Sequence, residues 1–392
     1  MSGPIRQTPG ASATLLLVAL VLAVPVLLIP LADDEARAEW EKRSLVELPS
    51  ISDFGSPKAG FAQLGEYLND HVFGVLAVNR AYRRAQFELF GDAPIPNVVR
   101  GDDGLVFLTS HGANYPRATL NRFCSPNSFR IKGIARSLAN LSEELRRYGV
   151  QLHVAIPPSK IALYADRLPP TVPVRHRHRC QSIAQKRGFA PDLLSSMAEG
   201  YSVIYPFEEQ FRLRDTPHFY PPENFHADSR STHEFARSFF RVAGIAGDIS
   251  GLEPSLETVR ADLKMMGFSR DIKAWRYRYR QQVKITRSPP SWVLSQFPTI
   301  KVTATYDTER PLSRRRAVLL SDSFGAFVAP HLAIGFEQIL RLNIKSLGKP
   351  EAEQFLTVAL KKTAATDVIL LLHDAGLDTG SLQRFLEYSG LP

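Results

Sequence analysis

The chain has 392 residues, of which 44% are hydrophobic, and 48 Lys and Arg against 39 Asp and Glu give a formal net charge of +9. That length permits one to three domains and a sizeable core, and the apolar content excludes a wholly disordered chain. The basic residues cluster as RHRHR (Arg175 to Arg179), RYRYR (Arg276 to Arg280) and RRR (Arg314 to Arg316), patches that suit nucleic acid, anionic lipid or an acidic polysaccharide as well as solvated faces.

The N-terminus narrows these choices. Ala11 to Ala32, ASATLLLVALVLAVPVLLIPLA, is uncharged and long enough to cross a bilayer core as one helix. Arg6 precedes it and Asp33, Asp34 and Glu35 follow, so the positive-inside rule leaves the N-terminus in the cytoplasm. A cleavable signal competes, because ARA (Ala36 to Ala38) resembles a processing site; the length of the apolar run favours an uncleaved anchor. Either way the bulk is exported, which argues against nucleic acid as a partner; with the anchor uncleaved, the expectation is a bacterial inner-membrane, single-pass protein with its bulk in the periplasm. Cys124 and Cys180 are the only cysteines. In an exported protein they can pair, stabilising by about 4 kcal/mol in the chain-entropy model, or stay as two separate buried thiols. Their spacing is not metal-like.

Residues 33 to about 95 read as a stalk leading into an amphipathic helical segment, with Leu64, Leu68, Val72, Leu76 and Tyr82 at helical spacing and Gly91, Pro94 and Pro96 ending it. Asn97 to Ser110 reads as two short strands around a Gly/Asp turn. Ile131 to Tyr148 is an amphipathic helix ended by Gly149, followed by the strand VQLHVAIPP. YSVIYPF is a further strand. Ser231 begins a helix through a capping box with Glu234, with Phe235, Phe239 and Val242 as its apolar stripe. Asp248 to Arg316 is less regular and reads as an insertion with its own strands. The strand Ala317 to Leu320, a helix, QILRLNI, the helix Glu351 to Lys362, DVILLLHD and a last helix around Ser381 to Tyr388 complete the chain. Near-continuous apolar strands alternating with helices predict an α/β fold, a doubly wound parallel sheet covered on both faces. The expected domains are an anchor over 1–32, the stalk and helical segment over 33–95, and an α/β domain over 96–392 with an insertion around 248–316.

In such a sheet ligands bind beyond the carboxyl ends of the strands. AVLLSDSFGAFVAP (Ala317 to Pro330) puts Ser323 there, at a helix start whose unpaired N–H groups suit a developing oxyanion. Serine is also a preferred N-cap, so this stretch alone leaves cap and nucleophile both open. Asp322 can fix the turn through backbone N–H groups. A nucleophilic serine needs a base. His226, with Asn224 and Asp228 two residues to either side, and His373, at the end of a strand, are the two candidates. His176 and His178 alternate with arginines and would share one face of a strand, but without a carboxylate they make a poor zinc site. No metal and no cofactor is expected.

NFHA (Asn224 to Ala227) and SDSF (Ser321 to Phe324) resemble, in order and spacing, the Asp-x-His-Trp and Gly-Asp-Ser-Phe motifs of the alginate O-acetyltransferase group of exported SGNH-hydrolase-like proteins. EKR (Glu41 to Arg43), LNDHVFG (Leu68 to Gly74), RGDDGLVFL (Arg100 to Leu108) and VAIPPSKIALYADRLP (Val154 to Pro169) support the resemblance. It implies an SGNH-like fold and O-acetylation of an extracellular or periplasmic polysaccharide, with Ser323 as nucleophile and His226 as base. It also implies a multi-span membrane acyltransferase partner that supplies acetyl groups. Asn224 stands where the family has aspartate: its amide oxygen can orient His226 but brings no charge. Asp228 is a substitute candidate. Ala227 stands in place of the tryptophan, Ser321 in place of the glycine, and LNIK (Leu342 to Lys345) is an altered form of an Asp-x-Arg stretch. The alternatives are a catalytically impaired relative that binds polysaccharide or scaffolds a secretion complex, and a carbohydrate deacetylase. Arg276, Arg278 and Arg280, on one face of a strand, are expected to bind the polymer.

Overall fold

The computed structural model describes residues 23–24, 27–32, 34–41, 45–90, 98–109, 120, 123–125, 128–186, 200–228, 230–247, 249, 254–261, 271–277, 283–298, 303–344, 349–377, 382 and 385–386. The chain divides into two compact units, Met1–Pro94 with Met265–Ser269, and Ile95–Lys264 with Arg270–Pro392.

The described part of the first unit is helical: α1 (Asp34–Glu41), α2 (Pro57–His71) and α3 (Val75–Phe90). The sequence reads residues 61 to 91 as one segment; Gly74, at φ +80°, instead turns the chain between two helices. LNDHVFG serves as a clasp. Asp70 accepts the Val46 N–H at 2.9 Å, and the His71 ring lies between the Asp34 carboxylate (2.6 Å) and the Val46 carbonyl (2.8 Å). Arg37 donates to the Asn69 carbonyl at 2.9 Å. Among the described residues no helix is long and apolar enough to cross a membrane. The expected anchor, Ala11 to Ala32, lies largely outside the described residues.

The second unit is built on a seven-stranded sheet. It takes β3 (Gln151–Ala155), β4 (Ser202–Ile204), β7 (Val283–Thr286), β8 (Thr303–Thr308), β9 (Arg316–Ser321), β10 (Gln338–Asn343) and β11 (Asp367–Leu371) in the order β4-β3-β11-β9-β10-β8-β7. The first five are parallel, while β8 and β7 continue the sheet antiparallel. β9 and β11 are central and read as unbroken apolar runs because both faces are covered. On one face Val154, Leu320, Leu342 and Leu370 pack with Leu138, Leu141 and Leu145 of α4 (Ser128–Arg147), and with Phe355 and Leu356 of α11 (Lys349–Thr363). On the other, Phe239 of α8 (Arg230–Val242) meets the His153 ring edge-on at 5.5 Å. The expected sheet with helices on both faces is therefore present, but it is mixed: an antiparallel edge that the strand pattern did not reveal replaces the wholly parallel order.

That edge comes from the region read as an insertion. Its first half forms a separate two-stranded sheet, β5 (Pro254–Arg260) with β6 (Asp271–Tyr277); its second half supplies β7, α9 (Ser291–Gln296) and β8. Asn97 to Ser110 yields the hairpin β1 (Val98–Arg100) and β2 (Val106–Leu108). Two local readings need correction. RHRHR lies in α6 (Val174–Gln185), so His176 and His178 do not alternate on a strand; the buried positions are Cys180 and Ala184, at helical spacing. Ser231 is not the cap of α8. It is buried within the helix and its hydroxyl donates to the Asp228 carbonyl, while Glu234 pairs with Arg230 and Arg237. The buried stripe is Phe235, Ala236, Phe239 and Phe240, and Val242 is exposed. Cys124 and Cys180 form a disulfide. Of the last helix expected around Ser381 to Tyr388, Leu382, Phe385 and Leu386 are described and helical, and the rest lies outside the described residues.

Candidate active site

The carboxyl ends of β9, β11 and β3 converge with the segment that precedes α8. β9 delivers Ser321, Asp322 and Ser323, and the chain turns into α10 (Gly325–Leu332). Asp322 accepts the Phe324 N–H at 2.9 Å, so it fixes the turn as expected, and Ser323 is left half-exposed rather than acting as a side-chain cap. The turn needs Gly325, because a Cβ there would lie 1.9 Å from Ser321 Oγ. Ser321 itself is ordinary strand: positive φ among the described non-glycine residues is confined to Asp103, His218 and Ala364.

His226 Nε2 lies 2.9 Å from Ser323 Oγ, a hydrogen bond between residues 97 apart in sequence. The ring is set by aromatic neighbours. Phe327 stacks on it at 4.6 Å with 16° between planes, and Phe324 and Phe225 meet it edge-on at 5.0 and 4.9 Å. Ala227 is buried, and the apolar wall around His226 comes from Phe327 on α10 instead of from the position after the histidine. Nothing in the local sequence around His226 signals that contact. Asn224 is buried two residues before the histidine, its backbone N–H bonded to the Pro221 carbonyl at 3.1 Å.

The other histidine candidate stands beside the same turn with a different partner. His373 Nδ1 donates to Asp322 Oδ2 at 2.6 Å and its backbone N–H reaches the same oxygen at 3.2 Å. Its ring stacks on Phe324 at 4.5 Å. Burial pushes the Asp322 carboxyl up, but the charge and hydrogen bond of His373, with two backbone amides, hold it below the usual carboxylate value. A Cβ on Gly376 would come within 2.9 Å of both partners, so only glycine fits that approach. Behind the turn lies Arg341, 5% exposed, whose Nε donates to Ser321 Oγ at 3.2 Å. Burial lowers the pKa of its guanidinium, opposed by Tyr306 and Asp322.

The segment that carries His226 is held from below by Lys160. This buried ammonium donates to the carbonyls of Val106 (3.1 Å), Pro221 (3.0 Å) and Pro222 (2.7 Å) and lies 5.1 Å from the Tyr220 ring centroid. The sequence marks Lys160 only as part of a motif; its three carbonyl partners come from two distant segments. Asp228, 5% exposed at its side chain, accepts from Arg276 of β6. Arg278 and Arg280 lie outside the described residues. Among the described residues no group of His, Cys, Asp and Glu is arranged to hold a metal ion.

A second serine, histidine and aspartate lie together at the opposite ends of the strands. His153 Nε2 is 2.8 Å from Asp367 Oδ1 and its Nδ1 bonds Ser202 Oγ, with Arg315 donating to the same aspartate. His153 and Asp367 are fully buried and offer no approach to a substrate. This set ties β3, β4 and β11 together.

A mostly parallel central sheet covered by helices, with a serine after a middle strand and a histidine brought to it from the segment ahead of α8, defines an α/β protein with a paired serine and histidine at the carboxyl edge of its sheet. Three solved structures are similar to the chain. Bacillus cereus PatB1 with a sulfonyl adduct aligns over 73% of this chain and 99% of its own at 13% identity and a TM-score of 0.52. A DHHW family protein from Eubacterium siraeum aligns over 75% and 99% at 14% identity and a TM-score of 0.48. The O-acetyltransferase domain of Pseudomonas putida AlgJ aligns over 74% and 99% at 12% identity and a TM-score of 0.41. At these identities the PatB1 likeness establishes a shared fold. No family model matches the chain, and no curated protein matches it.

Proposed function

We propose that the protein transfers acetyl groups to hydroxyls of a polysaccharide outside the cytoplasm, through an acetyl-serine on Ser323. The observation that carries this reading is the 2.9 Å contact between Ser323 Oγ and His226 Nε2 at the carboxyl edge of the sheet. Ser323 Oγ attacks the acetyl carbonyl of an ester donor and its proton passes to His226 Nε2. The tetrahedral oxyanion forms at the N-terminal end of α10, where the Ser323 backbone N–H is the nearest donor in sequence. Collapse breaks the bond to the donor alcohol, which leaves with the proton from His226. An acceptor hydroxyl then attacks acetyl-Ser323 and gives its proton to His226; collapse breaks the bond to Ser323 Oγ, which takes the proton back from His226. Asn224 orients the imidazole, and Asp322, held by His373, fixes the turn.

The N-terminal apolar run anchors the chain in a bacterial inner membrane with the second unit in the periplasm. The Cys124–Cys180 disulfide supports an oxidising compartment. A multi-span acyltransferase delivers the acetyl group across the membrane, and Arg276, with Arg278 and Arg280 after it in sequence, supplies positive charge for an acidic acceptor. The AlgJ domain, described as an O-acetyltransferase domain, is in keeping with this chemistry.

Purified full-length protein incubated with an activated acetyl ester and an acidic oligosaccharide tests the proposal. Ser323-dependent ester turnover with acetyl recovered on the sugar is the expected result. Acetyl released only to water identifies a deacetylase. Saccharide binding without turnover identifies the impaired, scaffolding relative, a reading favoured by the uncharged Asn224.

A further inference from the structure

Three consecutive residues of β6 each touch the segment that carries His226. Trp275 Nε1 donates to the Pro217 carbonyl at 3.2 Å, and its ring meets His218 edge-on at 6.3 Å. Arg276 pairs with Asp228, two residues beyond His226. Tyr277 stacks on His233, in the first turns of α8, at 3.9 Å with 2° between planes. The contacts thus bracket the 217–233 stretch at its start, its middle and its end. The described residues of that stretch contain no regular structure before α8, and His218 within it is held at φ +57°, a conformation uncommon for a residue other than glycine.

We infer that β6 is a brace for the proposed base, and that Arg276 is a positioning residue acting on His226 through Asp228. The Asp228 carboxylate is almost wholly buried, with 5% of its side chain exposed, while Arg276 keeps 27%. A buried carboxylate that loses a cation partner rearranges toward other partners, because buried charge short of compensation is costly. That rearrangement moves the backbone two residues from a ring that has to stay within hydrogen-bond reach of Ser323. Among the described residues the two-stranded β5–β6 sheet pairs with no strand of the main sheet, so side-chain contacts, these three among them, hold it against α8 and the segment before it. The inference rests on the acyl-serine reading, and it assigns Arg276 a role that needs no polymer.

That independence supplies the test. Ser323 of full-length protein is labelled with a small sulfonyl fluoride in the absence of saccharide, and the rate is read by mass spectrometry. Arg276→Gln is expected to slow labelling by about ten- to a hundredfold. Arg276→Lys should recover part of the rate, and Asp228→Asn combined with Arg276→Gln should be no slower than Arg276→Gln alone. Wild-type labelling by Arg276→Gln, or losses that multiply in the double variant, would overturn the inference. If wild-type protein does not label at Ser323, the acyl-serine reading fails, and hydrogen exchange of amides 217–228 then decides the brace by itself. Faster exchange there in Arg276→Gln, with the sheet unchanged, supports it; unchanged exchange overturns it.

Discussion

A serine hydroxyl becomes a useful nucleophile when a base stands ready for its proton, and His226 Nε2 stands 2.9 Å from Ser323 Oγ. Replacing His226 by Gln should lower Ser323-dependent ester turnover by about 10²–10⁴, measured against Ser323→Ala as the blank. Asn224→Asp adds the negative charge that stabilises an imidazolium, and turnover should rise; an unchanged or lower rate removes Asn224 from the proposed machinery. The carboxyls of Asp322 and Asp367 are both held below their ordinary value, against the upward push of burial. Their contribution to stability is full above the unfolded value of about 4 and is lost as pH falls through the depressed folded values. Asp322→Asn should therefore flatten the loss of thermal stability on acidification below about pH 4, and an acid limb as steep as wild type would contradict this. The meeting of Ser323 and His226 was legible from the sequence because each sits in a short motif, one after a predicted strand and one ahead of a predicted helix. The partner of His373 was not, since Asp322 and His373 meet only when β9 and β11 become neighbours.

Elements show where local pattern suffices and where it fails. The core strands were readable because burial on both faces leaves unbroken apolar runs, whereas β7 and β8, at a half-covered edge, carry polar residues such as Lys284 and Thr305 and do not stand out. Alternation in RHRHR suggests a strand, yet α6 forms there because Cys180 and Ala184 supply a buried helical face. The turn between β9 and α10 depends on side-chain size. Gly325→Ala should cost about 1–3 kcal/mol as overpacking against Ser321, and Ser321→Gly in the same chain should restore most of it. Additive losses by chemical denaturation would contradict that coupling. Lys160→Met removes a buried cation from three carbonyls, and each lost charged hydrogen bond is worth about 1.5–3 kcal/mol. The variant should unfold earlier and label more slowly at Ser323; wild-type stability would show that the ammonium is dispensable.

At the scale of the molecule, the second unit gathers the candidate groups from β3, β9, β11 and the segment ahead of α8 at one edge of the sheet. It places a serine, histidine and aspartate set, its histidine and aspartate fully buried, at the other edge, where it only binds strands together. The contrast explains why residue types alone do not locate a site: His153 has better hydrogen-bond partners than a surface histidine, but no access. The Cys124–Cys180 bond closes a loop with a sequence separation of 56, worth about 4 kcal/mol by chain entropy. Reduction should lower the unfolding temperature of the whole protein, and an unchanged value would show that the bond is structurally idle. The central claim, that Ser323 carries the acetyl group with the help of His226, is tested most directly by trapping. Full-length protein is mixed with an activated acetyl ester, quenched in acid, digested and mapped by mass. The account predicts one acetyl group on the peptide containing Ser323, lost in His226→Gln. Acetyl found elsewhere, absent altogether, or present to the same extent without His226 would contradict it.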